Sequence, residues 1–286
     1  MGVNERADRT ANATEVVLSD GFVVDSVGLG TAPMGVDETA QAVASAVACG
    51  YRLIDTGSAY GNEVGVGDGL RHAGLPRADV KVITKLRGAD QGGRDTERAV
   101  HESLERLGLD YVDLYLIHWP LPAVGKYADS FSTMIRLRDQ GLIRSIGTSN
   151  FLPEHLERLE LETGELPTVN QIEVHPGFSQ DAIREWHRAH GIRTMAYSPL
   201  GRGTGVLSSP VLSELARRHG VTPAQIVLRW HLEQAVIPLP RSASPERQRE
   251  NRDVFGFALT AAEVAEITSA FPQMRVGHDP RTHEEF

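Results

Sequence analysis

The sequence predicts a (β/α)8 barrel, the TIM-barrel fold, with an N-terminal β-hairpin and extra C-terminal helices. Short aliphatic and β-branched runs alternate with amphipathic stretches along most of the 286 residues. A closed barrel of this kind commonly uses about 250 residues, so we expect one domain over residues 1–286. An open doubly wound sheet is disfavoured because its G-x-G-x-x-G fingerprint fails wherever it begins: Pro33, Leu70 and Val206 replace the third glycine.

The predicted strands follow a short hairpin, in which residues 16–18 and 22–24 flank an Asp20-Gly21 turn. Eight strand candidates come next, at 27–30, 52–55, 81–84, 113–117, 143–147, 168–172, 193–196 and 235–239. The stretch from Tyr197 to Pro210 is rich in glycine and proline and is predicted as a long loop.

Eight helices are predicted at roughly 37–49, 63–73, 95–107, 128–140, 153–162, 179–190, 223–234 and 261–270. Asp37 and Glu38 place acidic charge in the first turn of the first helix, and Pro153 suits the first turn of the fifth. Four helices are followed by a glycine where a left-handed cap residue is wanted: Gly50, Gly74, Gly141 and Gly191.

Composition excludes several classes of protein. Cys49 is the only cysteine, so no internal disulfide forms, and its apolar helical surroundings predict a buried, inert thiol. The formal net charge of −9 disfavours a general nucleic-acid binder. No apolar run is long enough for a transmembrane helix, and about residues 1–13 form a polar tail unlike a signal peptide. We expect a cytosolic monomer without a metal site.

Polar residues occur where the predicted strands end. In a (β/α)8 barrel, functional residues lie at the carboxyl ends of the strands. Single residues there are commonly helix caps or solvated charges, but their convergence on one face predicts an active site. The residues are Asp55, Lys85, His118, Trp119, Ser149, Asn150, Gln171, Glu173, Tyr197, Ser198, Arg241 and Ser242.

Six segments resemble the aldo-keto reductase family, in order and over about residues 15–280. They are 54–63 (IDTGSAYGNE), 113–120 (DLYLIHWP), 146–151 (IGTSNF), 170–176 (NQIEVHP), 196–201 (AYSPLG) and 245–255 (PERQRENRDVF). The short end RVGHDP at 275–280 is similar to the compact bacterial branch, which includes 2,5-diketo-gluconate reductase-like members.

The resemblance implies reduction of an aldehyde or ketone to an alcohol with NADPH. It implies a catalytic tetrad of Asp55, Tyr60, Lys85 and His118. Hydride would pass from nicotinamide C4 to the carbonyl carbon, while Tyr60 protonates the carbonyl oxygen. A free tyrosine has a pKa of about 10, and a nearby lysine ammonium is expected to lower it. Asp55 would keep Lys85 charged, and His118 would orient the carbonyl.

The resemblance also implies a cofactor site. Ser149, Asn150 and Gln171 would hold the nicotinamide carboxamide, and Tyr197 would stack on the ring. Ser198, Leu200 and Gly201 would cover the pyrophosphate, with Arg241, Ser242, Arg247 and Asn251 at the adenosine end. Two arginines suit the 2′-phosphate of NADPH, so NADH is the less favoured cofactor. The family often has lysine at the position of Arg241.

Substrate preference is less closely defined by the sequence. Trp119 and Ala32 are predicted walls of a substrate pocket, and Ala32 stands where the family often has an aromatic residue. His118 favours carbonyl reduction, since relatives that reduce a conjugated C=C bond carry glutamate there. The main alternative is a nucleotide-binding regulatory protein with little turnover. A barrel hydrolase is a further alternative, but the sequence shows no convincing nucleophile–base pair or metal cluster at the strand ends.

Overall fold

The N-terminal hairpin is present. The computed structural model describes residues 13–285, so the predicted polar tail lies almost entirely outside the described residues. Strands β1 (Glu15–Val17) and β2 (Val23–Asp25) pair antiparallel. The turn between them uses Gly21 at a φ of 86°, and the Phe22 amide donates to the Asp20 carboxylate at 2.9 Å.

Eight parallel strands form the barrel, and neighbours in the sequence are neighbours in the sheet. They are β3 (Leu29–Gly30), β4 (Leu53–Asp55), β5 (Lys81–Leu86), β6 (Val112–Ile117), β7 (Ile143–Ser149), β8 (Val169–Glu173), β9 (Arg193–Tyr197) and β10 (Ile237–Pro238). All eight fall at predicted positions. Parallel strands in sequence order, joined by helices, confirm the (β/α)8 prediction.

Glycines allow the first and last strands to meet. The amides of Gly28 and Gly30 donate to the carbonyls of Pro238 and Pro240, each at 3.1 Å. A Cβ at Gly30 would lie 2.8 Å from the Leu239 carbonyl oxygen, so only glycine permits this approach. The described strands therefore close into a barrel, the arrangement that removes the edges of a sheet.

The helices surround the barrel. Their bounds are Val36–Ala48, Glu63–Ala73, Gly93–Leu107, Tyr127–Asp139, Pro153–Thr163, Asp181–Ala189, Pro210–His219, Pro223–Glu233, Pro245–Arg252 and Ala261–Ser269. Short 3-10 turns occur at Ser58–Tyr60, Arg77–Asp79, Gly88–Asp90 and Val206–Ser208. Within residues 13–285, no helix has the length and apolar character needed to cross a membrane.

Helices Pro210–His219 and Pro245–Arg252 were missing from the eight predicted ranges, although the signals of the first are present in the sequence. Leu212, Leu215 and Ala216 form a buried stripe at helical spacing. Pro210 occupies the first turn, and Gly220 caps the C-terminus at a φ of 69°. The end of the predicted loop is therefore the start of an additional helix.

The apolar core of the described residues consists of three clusters, one of which surrounds helices Pro210–His219 and Pro223–Glu233. Leu53, Ile83, Leu114 and Met195 belong to a cluster that fills the interior of the barrel. A larger cluster joins the strands to the surrounding helices, which explains the near-continuous apolar character of the buried strands. These layers hold the strand ends, and hence the site, in fixed positions.

The prediction of a buried Cys49 thiol was wrong. Cys49 is partly exposed because it caps helix Val36–Ala48, one residue beyond its last turn. Its Sγ lies 3.8 Å from the Pro245 carbonyl oxygen. Cys49 packs against the main apolar core but is not fully covered by it.

Candidate active site

A buried ion pair lies at the carboxyl ends of β4 and β5. Lys85 Nζ donates to Asp55 Oδ1 at 2.7 Å and to the Thr56 carbonyl oxygen at 2.6 Å. The Lys85 side chain is 0% exposed and that of Asp55 is 7% exposed. Burial by itself lowers the pKa of Lys85, but Asp55 and Tyr60 together outweigh it and the pKa is raised. Lys85 therefore carries its proton.

A short turn places Tyr60 beside this pair. The 3-10 turn Ser58–Tyr60 is closed by a hydrogen bond from the Tyr60 amide to the Gly57 carbonyl at 3.0 Å. The Ser58 hydroxyl donates to the Lys85 carbonyl at 2.8 Å, which ties the turn to β5. Lys85 Nζ consequently lies 4.9 Å from the centre of the Tyr60 ring.

The ionisation of Tyr60 reflects two opposing effects. Burial raises its pKa, while the charge and hydrogen bonding of Lys85 lower it. The lowering expected from Lys85 is present, but burial outweighs it, so the pKa of Tyr60 lies above the ordinary value of tyrosine. The partial burial of the phenol outweighs the ammonium, and Tyr60 is held as a protonated hydroxyl.

His118 forms the next part of the site, directly after β6. Its backbone amide donates to the Leu86 carbonyl at 3.0 Å, and its own carbonyl accepts from Asn150 Nδ2 at 3.0 Å. The imidazole meets the Tyr60 ring edge-on, with 5.6 Å between the ring centres. Three strand ends therefore bring Asp55, Lys85 and His118 together around the Tyr60 turn.

A cavity of about 560 Å³ opens above these groups. Trp119, Ala32 and Arg241 line it together with Tyr60 and His118. Other predicted site residues lining it are Asp55, Asn150, Gln171, Tyr197, Ser198 and Leu200. Its size is that of typical small-molecule sites, about 300–1,000 Å³.

The predicted carboxamide-binding side chains hold one another in place. Tyr197 Oη donates to Asn150 Oδ1 at 2.8 Å, and the Ser149 hydroxyl donates to the Gln171 carbonyl at 2.9 Å. Gln171 Nε2 donates to Asp55 Oδ1 at 2.8 Å, which links this group to the buried ion pair. Asn150 has a φ of 63°, a left-handed conformation that asparagine tolerates better than most residues.

The predicted nucleotide-binding residues lie farther along the rim. Ser198 and Gly201 both have positive φ, at 48° and 65°, in the loop after β9. Arg241 and Arg247 are exposed, and neither forms an ion pair with a carboxylate of the residues that the structure describes. Ser242 and Asn251 are buried beside them.

Residues near the C-terminus also reach the cavity, and the sequence did not single them out. Val276, Gly277, His278 and His283 line it, and Glu285 contacts His118. Glu173, noted only as a strand-end residue, accepts hydrogen bonds from the amides of Val276 and Gly277, both at 2.7 Å. These contacts join residues more than a hundred positions apart, so no local pattern predicts them.

Comparison with known proteins identifies the family. Residues 26–271 match the model of the aldo/keto reductase family. The chain is 46% identical over 274 residues to 2,5-diketo-D-gluconic acid reductase B of Corynebacterium sp., covering 96% of this chain and 99% of that protein. It is 43% identical over 271 residues to the Escherichia coli methylglyoxal reductase DkgA, covering 94% and 98%.

Solved structures agree with this relationship. A mutant of Gox0644 in complex with NADPH is 44% identical, with a TM-score of 0.90 over 95% of this chain and 98% of that one. A Bombyx mori aldo-keto reductase in complex with NADP is 36% identical, with a TM-score of 0.87 over 93% and 95%. By family model, sequence identity and fold, the chain belongs to the aldo/keto reductase family.

Proposed function

We propose that this protein reduces an aldehyde or ketone to an alcohol with NADPH, with Tyr60 as the general acid. The observation that carries the proposal is the Lys85–Asp55 pair, buried against the Tyr60 ring at the mouth of the barrel. The reductase names of close relatives support the same class of reaction. A cytosolic, monomeric enzyme is part of the proposal.

The residues present fit NADPH. Tyr60, His118 and Arg241 line one cavity, so one extended ligand can contact all three. Arg241 and Arg247 supply two exposed guanidinium groups, which suit a phosphate and favour NADPH over NADH. Ser149, Asn150 and Gln171 are proposed for the carboxamide, and Tyr197 for the ring face. Ser198, Leu200, Gly201, Ser242 and Asn251 are proposed around the rest of the nucleotide.

Bound NADPH would supply the hydride, and the side chains of the chain supply the proton and the orientation. Tyr60 keeps its proton because burial raises its pKa, so the phenol is available as a donor. The Lys85 ammonium stabilises the phenolate that remains after proton transfer. Asp55 holds that ammonium in position at 2.7 Å. His118 is placed to orient the carbonyl oxygen by a hydrogen bond.

Two further side chains are proposed to shape the substrate end. Trp119 is nearly buried, with its ring 4.3 Å from that of His283. Ala32 is a small residue in the loop after β3 that also lines the cavity, and its short side chain leaves room there. An apolar wall of this kind recognises most of a substrate loosely, while the polar groups act on one carbonyl.

The decisive experiment compares the native enzyme with Tyr60→Phe. Loss of the hydroxyl should lower turnover of 4-nitrobenzaldehyde by about 100-fold or more, since a positioned acid contributes about 10²–10⁴-fold. NADPH binding, followed by quenching of protein fluorescence, should be unchanged. Consumption of NADPH is read from its absorbance.

A matched control removes a hydroxyl elsewhere. Tyr111 lies just before β6, at the opposite end of the barrel, and its ring contacts the guanidinium groups of Arg77 and Arg144. Tyr111→Phe should retain native turnover. Near-native turnover of Tyr60→Phe would exclude Tyr60 as the acid.

A further inference from the structure

The C-terminal segment, residues 276–285, folds back over the candidate active site. Glu173 anchors its start by accepting from the amides of Val276 and Gly277. Burial alone would raise the pKa of Glu173, but these amides and His175 hold it below the ordinary value. The anchor is therefore a carboxylate at neutral pH.

Aromatic stacking holds the middle of the segment. The rings of His278 and His283 are parallel, at an angle of 4° and 4.1 Å between centres. His283 also packs edge-on against Trp119 at 4.3 Å. This packing directs the end of the segment toward His118.

Glu285 is the residue that reaches the site. Its Oε1 lies 2.5 Å from His118 Nδ1, and its Oε2 accepts from the Gly88 amide at 2.9 Å. The Glu285 side chain is only 16% exposed. A Cβ at Gly88 would overlap the Glu285 carbonyl oxygen, so glycine at this position permits the close approach.

We propose that Glu285 is a specificity-determining residue, which disfavours carbonyl substrates that carry a carboxylate and favours uncharged aldehydes and ketones. The proposal rests on the proposed function, since it places the reacting carbonyl between Tyr60 and His118. A negative charge fixed against His118 repels an anionic substrate and leaves a neutral one unaffected.

The neighbouring cations offset this charge only in part, because most of them are paired with other carboxylates, although Arg87 also attracts Glu285. Lys85 is paired with Asp55, and the Arg87 guanidinium is bonded to Asp90 at 2.6 Å. Arg202 and Arg241 line the same cavity, in the part proposed for the nucleotide. The negative charge of Glu285 also contributes to raising the pKa of Tyr60, after burial and Asp55, so it is felt at the proposed acid.

The test uses two aldehydes of similar size, 4-carboxybenzaldehyde and 4-nitrobenzaldehyde, with NADPH. The quantity compared is the ratio of their kcat/KM values, anionic over neutral. Glu285→Gln should raise this ratio about tenfold, the effect expected for like charges about 8–10 Å apart at an effective dielectric near 20 with some screening. Glu284→Gln is the matched control, because Glu284 is exposed, and it should keep the native ratio.

A second variant moves the carboxylate without changing it. Gly88→Ala adds a methyl group that overlaps the Glu285 backbone, so it should displace the segment and raise the same ratio. A ratio within twofold of native in both variants would overturn the inference. An equal loss of kcat/KM for both aldehydes in Glu285→Gln would also overturn it, since that outcome means Glu285 only positions His118.

The two proposals fail in different ways. If the native protein consumes no NADPH with either aldehyde, the proposed function is wrong and the inference falls with it. If both aldehydes are reduced and the ratio of their kcat/KM values is the same in Glu285→Gln as in the native protein, only the inference about Glu285 is wrong.

Discussion

Replacement of Asp55 by asparagine keeps the shape of the side chain and removes the charge that lies against Lys85. Asp55 Oδ1 accepts from Lys85 Nζ at 2.7 Å and from Gln171 Nε2 at 2.8 Å. Asparagine can still accept these bonds. The variant therefore isolates the charge of the buried pair from its hydrogen bonding.

The expected loss of stability follows from this geometry. At 2.7 Å and an effective dielectric near 20, two unit charges attract by about 6 kcal/mol before desolvation is counted. Removal of one partner leaves a fully buried ammonium without a counter-charge, which commonly costs about 3–5 kcal/mol. We expect Asp55→Asn to lower the free energy of unfolding by about 3 kcal/mol or more.

Urea unfolding followed by circular dichroism measures this loss. The control is Asp95→Asn, because Asp95 pairs with Arg98 at 2.8 Å but both side chains are about half exposed. An exposed pair contributes about 0–1 kcal/mol, so the control should remain close to native. If Asp55→Asn lies within about 1 kcal/mol of that control, the account of Lys85 as a buried, charged group is refuted.

Two other predictions test the cofactor site and the pH dependence of stability. Arg247→Ala should raise the KM for NADPH about tenfold and leave the KM for NADH unchanged, since a charge-assisted bond is worth about 1.5–3 kcal/mol. Arg249→Ala is the control, because Arg249 is an exposed arginine on the same helix. Equal effects of Arg247→Ala on both cofactors would refute the assignment. His187 accepts from Asn170 and contacts the Thr194 hydroxyl at 2.9 Å, and burial lowers its pKa to about 4. The unfolded chain binds this proton near pH 6.5, so His187 should reduce stability by about 1.4 kcal/mol per unit as the pH falls from about 6.5 to 4. Urea unfolding of His187→Gln should show a shallower decline, and an unchanged slope would contradict the prediction.

Local sequence patterns predicted the eight barrel strands and the ends of several helices. The apolar runs that became the eight parallel strands are visible along the chain, because buried parallel strands require near-continuous aliphatic sequence. Gly50, Gly74, Gly141 and Gly191 all have positive φ after their helices, as their positions predicted. Helix Pro210–His219 was not predicted, although its apolar residues recur at helical spacing. The glycine-rich loop just before it led to its assignment as part of that loop.

Sequence alone therefore determined the barrel, the family motifs and the polar residues at the strand ends, since each depends on neighbours along the chain. The tertiary structure decided what no local pattern contains. It brought Gln171 onto Asp55, anchored the C-terminal segment on Glu173, and set the Glu285 carboxylate against His118. It also decided the ionisation of Tyr60, because the loss of water around the phenol outweighs the charge of Lys85, and desolvation depends on the whole fold.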